Sequence, residues 1–87
     1  MVSQEVVIKN PTGLHLRPAG FFCNTAMRFK SKITFEIRDN VANAKSVLSV
    51  LGACVKGGDQ IKLICEGEDE EEALQEMVRA VEAGLEE

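Results

Sequence analysis

The sequence predicts an α+β fold, one β-sheet with helices packed on a single face, in the order β-α-β-β-α-β-α. Segments with apolar residues at every second position alternate with segments in which they recur every three or four. Turn-forming clusters, Asn10-Pro11-Thr12-Gly13 and Lys56-Gly57-Gly58-Asp59, punctuate them. Each segment has one apolar face, and a sheet with helices on one side covers all of these faces. The 87 residues are read as one domain, 1–87, with a modest core, since a chain of this size buries roughly 60% of its unfolded surface.

The first strand is expected over residues 2–9, where Val6 and Ile8 stand between Glu5 and Lys9. A helix follows over residues 16–29. Ala19, Phe22, Cys23, Ala26 and Phe29 share helical spacing, with Gly20, Asn24 and Arg28 on another face. From Lys32 to Arg38 the alternation is strict, Ile33, Phe35 and Ile37 against Lys32, Thr34, Glu36 and Arg38. Asp39 and Asn40 tolerate turn geometry, so residues 41–43 return as a short strand. Ser46 and Gly52 read as the N-cap and stop of a short helix through Val47 to Leu51. Ile61, Leu63 and Cys65 then alternate with Lys62, Ile64 and Glu66 in a last strand. Asp69 and Glu72 have capping-box spacing, and Glu70 and Glu71 lie where a helix dipole favours anions. Leu74, Met77, Val78, Val81 and Leu85 form the stripe of a third helix, so the acidic cluster reads as a solvated helix start, not a metal site.

Composition narrows the function classes. The segment MVSQEVVIKN has no basic region followed by a long apolar stretch, and no apolar run approaches the ~20 residues that span a bilayer. The expectation is a cytoplasmic protein with no membrane insertion. Cys23, Cys54 and Cys65 form no CxxC pair, so they are expected as three reduced thiols, and neither a metal nor a cofactor is implied. Charge is uneven: residues 1–65 carry nine bases and four acids, residues 66–87 ten acids and one base, for a net −4. The basic part is too dilute and too poor in aromatics for a nucleic-acid surface, but it could steer an acidic protein partner.

The chemistry concentrates in Gly13-Leu14-His15-Leu16-Arg17-Pro18-Ala19. His15, the single histidine, stands where a loop becomes a helix. The first backbone N–H groups of a helix have no partner inside it, and the dipole is positive there. Pro18 fits the first turn because its missing N–H would not have been bonded. A phosphate on His15 would meet the backbone donors of Leu16 and Arg17 and the Arg17 guanidinium. On chemistry alone, the preferred reading is a polar cap at His15 and a solvated charge at Arg17, since lone histidines are common and one motif is weak evidence.

That heptad resembles the phosphohistidine signature of HPr, the phosphocarrier of the bacterial phosphotransferase system. Asn43-Ala44-Lys45-Ser46 with its following apolar segment resembles the family's second signature, and Gly67-Glu68-Asp69-Glu70 is also similar. The match is collinear over nearly the whole chain. The resemblance implies an open-faced β-sandwich, a four-stranded antiparallel sheet with three helices on one face, in a monomer. It implies that His15 takes phosphate on Nδ1 from phosphorylated enzyme I and passes it to the A domain of a sugar-specific enzyme II, with Arg17 stabilising the phosphoryl group. It further implies a carrier phosphorylated stoichiometrically on His15, and not an enzyme.

In some members of the family a serine at the position of Ser46 is phosphorylated by an ATP-dependent HPr kinase/phosphorylase, creating a docking charge for a catabolite-control transcription factor. Val47, Leu48 and Leu51, with Gly20 and Asn24, are expected to form an apolar docking patch rimmed by Arg17, Lys45 and Arg28. Leu16 replaces the family's usual alanine, and Cys54 stands where glycine is more usual. His15 excludes the regulatory paralogue that lacks the histidine. A pure regulatory module acting through Ser46, and carriers for nitrogen regulation or a dihydroxyacetone-type kinase, stay open as alternatives.

Overall fold

A computed structural model describes residues 1–85. In chain order it contains β1 (Val2–Val7), α1 (Leu16–Met27), β2 (Lys32–Ile37), β3 (Asn40–Asn43), α2 (Val47–Gly52), β4 (Gln60–Glu66) and α3 (Glu70–Glu82). The strands form one sheet in the order β1-β4-β2-β3, with every neighbouring pair antiparallel. Registers such as Val6↔Ile61, Ile33↔Cys65 and Phe35↔Leu63 bring the alternating apolar side chains onto one face. Those residues are buried, with Ile37 and Ala42 beside them. The opposite face stays in water. There Glu5, Lys62 and Glu36 make a cross-strand row of alternating charge, a favourable arrangement on a solvated sheet.

The three helices cover the apolar face, as expected. Ala19, Phe22 and Ala26 of α1, Val50 of α2 and Ala73, Met77, Ala80 and Val81 of α3 are buried against it. The rings of Phe22 and Phe35 meet edge to face, 5.4 Å between centroids, locking α1 to the middle of the sheet.

Several local readings need correction. The β2–β3 turn is Arg38-Asp39, not Asp39-Asn40, because Ile37 pairs with Asn40. Both turn residues have positive φ, 47° and 67°, which a two-residue hairpin needs if it is to match the twist of its strands. On α3 the alanines Ala73 and Ala80 are buried while Leu74 and Val78 are only half-buried, since small side chains let the helix approach the sheet closely. Leu85 lies beyond the helix. Its N–H donates to the Ala80 carbonyl at 3.0 Å and that of Gly84 to Val81 at 3.1 Å, a Schellman ending that returns the Leu85 side chain to the core.

The capping box is also absent. Asp69 occupies the N-cap position but makes no side-chain bond to α3. Its carboxylate instead accepts the N–H groups of Lys30 and Ser31, each at 2.9 Å, and the Ser31 hydroxyl. Cys65 is buried, Cys54 exposed and Cys23 half-buried, all as free thiols; burial pushes the Cys65 thiol up to about 11. Among the described residues, no helix is long and apolar enough to cross a membrane.

Candidate functional site

The site starts with a glycine. Gly13 has φ 68°, and a Cβ there would stand 2.3 Å from the Val55 carbonyl oxygen, so only glycine fits. The close approach lets the Leu14 N–H donate to the Val55 carbonyl at 3.0 Å while the Leu14 side chain enters the core. The next residue, His15, is thereby delivered to the mouth of α1. It is the N-cap, its backbone extended at φ −77° and ψ −176°, and its carbonyl accepts the Ala19 N–H at 2.7 Å. The imidazole is exposed and makes no capping hydrogen bond.

Leu16 and Arg17 open the first turn, so their N–H groups have no acceptor within the helix, and the buried Pro18 contributes none. Arg17 is exposed, and among the described residues its guanidinium meets no carboxylate. An anion at this helix mouth would face two open amides at the positive end of a helix, with the exposed Arg17 in the same turn.

A groove of about 500 Å³ lies beside His15, lined by Thr12, Leu14, Leu51, Cys54, Val55 and Lys56 among others, with no carboxylate among its lining residues. Sequence reasoning missed Thr12, Cys54, Val55 and Lys56 as neighbours of His15. One signal was present: Cys54 stands where the resembled family favours glycine, and its φ is 55°.

Ser46 is the N-cap of α2, its hydroxyl accepting the Ser49 N–H at 3.2 Å, and the Ser49 hydroxyl accepts the Asn43 N–H at 2.9 Å. The Lys45 ammonium donates to the Phe29 carbonyl at 2.6 Å, beyond the C-terminal end of α1. The 12 residues of α1, about 18 Å at 1.5 Å per residue, therefore separate Lys45 from His15. Leu51, at the other end of α2, does line the groove. Leu48 is 78% exposed and Val47 36% exposed, while Val50 holds α2 to the core. Gly20 has open space where a Cβ would be, and Asn24 lies on a separate shallow groove between α1 and α3.

Comparison with known proteins gives a family model described as "PTS HPr component phosphorylation site", which matches residues 2–83. The HPr-like protein Crh of Bacillus subtilis is 39% identical over 82 residues, 94% of this chain and 96% of that protein. The phosphocarrier protein HPr of Lysinibacillus sphaericus is 37% identical over 86 residues, 98% of each chain. The crystal structure of HPr-C-His from Thermoanaerobacter tengcongensis superposes with a TM-score of 0.96 at 41% identity, covering 100% of this chain and 98% of that one.

Proposed function

This chain belongs to the HPr family of phosphotransferase-system phosphocarriers, and from that premise we propose that it carries a phosphoryl group on His15 between two other proteins. The observation that carries the reading is the exposed, uncapped imidazole of His15 at the N-terminus of α1, next to the open amides of Leu16 and Arg17, with the exposed Arg17 two residues on. In the forward step the Nδ1 lone pair attacks phosphorus, an N–P bond forms, and the bond from phosphorus to enzyme I breaks. The second step repeats this with the A domain of an enzyme II as the acceptor. A carrier must release what it takes, and an open helix mouth with one exposed arginine supports that better than a closed pocket would. His15, Leu16 and Arg17 belong to one helix mouth, so this reading needs no second copy of the chain, and it places the carrier in the cytoplasm.

The test is phosphoenolpyruvate with enzyme I. The expected product is an acid-labile adduct on His15, absent in His15→Ala. Arg17→Ala should slow transfer roughly 10- to 100-fold, the loss of one charge-assisted hydrogen bond in the transition state. No labelling of the wild type by a competent enzyme I overturns the proposal.

A second phosphorylation, on Ser46, is supported by its place as the α2 N-cap, where added phosphate sits near the Ser49 N–H without breaking the fold. An HPr kinase with ATP should give an acid-stable adduct there and enable binding by a catabolite-control transcription factor. Label only on another serine rejects this reading.

A further inference from the structure

The loop leading into α1 and the loop leaving α2 are stitched together along their length. The Gly58 N–H donates to the Ile8 carbonyl at 2.8 Å, the Ile8 N–H to the Asp59 carbonyl at 2.9 Å, and the Leu14 N–H to the Val55 carbonyl at 3.0 Å. Gly57 backs directly onto the Asn10 and Pro11 carbonyls. Inside the first loop the Gly13 N–H donates to the Asn10 carbonyl at 3.0 Å, and residues 54–59 anchor Leu14, and His15 after it, from outside.

That second loop is held partly by its own bonds and partly from outside. Cys54 is a non-glycine residue at φ 55°, and such a conformation persists only when its surroundings determine it. Part of the support comes from the β2–β3 turn. The Arg38 guanidinium donates to the Cys54 carbonyl at 3.0 Å and to the Asp59 carboxylate at 2.9 Å. The same carboxylate oxygen accepts the Lys56 N–H at 2.9 Å, and the Asp59 N–H returns to the Lys56 carbonyl at 3.0 Å. The Lys56 amide and then Arg38 hold the Asp59 carboxyl below its ordinary range, consistent with a carboxylate that stays charged in this role.

We propose that Arg38 and Asp59 are positioning residues for His15, clamping residues 54–59 so that the Val55 carbonyl fixes Leu14 and sets the imidazole at the mouth of α1. The proposal rests on His15 being the phosphoryl acceptor. Arg38 lies in the β2–β3 turn and Asp59 just before β4, outside α1 and α2, where partners would dock. Loss of the clamp should therefore lower kcat and leave KM alone.

The experiment compares Arg38→Ala, Arg38→Lys, Asp59→Asn and the double variant R38A/D59N with the wild type. Arg79→Ala is the control, removing an exposed arginine paired with Glu76 on α3. Two quantities are read: amide hydrogen exchange at Leu14, and steady-state phosphorylation by phosphoenolpyruvate and enzyme I with the carrier as varied substrate. Arg38→Ala and Asp59→Asn should speed Leu14 exchange about tenfold and lower kcat roughly five- to tenfold with KM within about twofold.

Arg38→Lys, which keeps the charge and one donor, should recover part of both effects. The double variant should be no worse than the worse single, since both act through one connection. Unchanged Leu14 exchange, a loss confined to KM, losses that multiply in the double variant, or an equal effect of Arg79→Ala each overturns the proposal. A wild type that takes no phosphate on His15 defeats the phosphocarrier reading instead, and Leu14 exchange still decides whether the clamp exists.

Discussion

Asp69 directs its carboxylate away from its own helix, and that choice sets an acid limit on stability. The Ser31 hydroxyl, then the Lys30 and Ser31 amides, hold its carboxyl at about 2 against an ordinary 3.8. The folded value is the lower one, so the contribution is complete above 3.8 and disappears as pH falls toward 2. Asp69→Asn should lower the urea midpoint near pH 6 and converge with the wild type near pH 2, leaving a shallower acid-side fall. Asp59 and Glu70, whose carboxyls are also held low by hydrogen bonds, should keep that residual fall above zero. Parallel midpoint curves for the two proteins from pH 2 to 6 would reject this role. The residue was visible in the sequence but its partner was not. Three-residue spacing to Glu72 satisfies a capping pattern locally, while the amides it serves belong to a loop 38 residues earlier. The place of His15 at a loop-to-helix junction was legible because a helix start is set by local backbone geometry.

At the scale of one element, α2 shows which side of a short amphipathic segment wins. Its start was readable, because Ser46 caps through local backbone geometry. Its stop was not, since Gly52 is still helical, Ala53 is the C-cap and the positive φ that turns the chain falls on Cys54. Its orientation was not, because six residues with four apolar ones give no clear stripe. Contact with the sheet and α1 decides it: Val50 is fully buried and Leu48 points into water. Val50→Ala removes two methyl groups' worth of buried surface and leaves a small cavity, costing about 2 kcal/mol in urea unfolding. Leu48→Ser should stay within about 0.5 kcal/mol of the wild type, while raising KM with enzyme I if this residue docks a partner. Equal destabilisation by the two variants would mean α2 packs the other way round. The same physics explains the alanines of α3, where close approach outweighed the larger side chains of the sequence stripe.

Across the whole molecule, charge is sorted by position. The acidic start of α3 binds the Lys30–Ser31 turn beyond the C-terminal end of α1, whereas His15, Arg17 and the groove with Lys56 lie at the N-terminal end. The separation is at least the length of α1, about 18 Å, which exceeds the Debye length of about 10 Å at 0.1 M salt. A partner approaching His15 therefore meets Arg17 and Lys56, with the nearby Asp59 carboxylate already paired to Arg38 and the acids of the α3 start screened behind them. Net charge and local charge then predict opposite signs with an acidic partner. A net −4 would make association faster as salt is added; a positive site makes it slower. We expect the second-order rate constant for transfer from phosphorylated enzyme I to fall several-fold between about 20 and 200 mM salt, and to fall less in Lys56→Gln. A rate that rises with salt would place the acidic helix, not the His15 end, in command of the encounter. The juxtaposition behind this forecast, residues 8–15 against 54–59, was the part least accessible to sequence reasoning. It depends on β1 and β4 pairing as neighbours in the sheet, a choice made by the tertiary fold and by no local pattern.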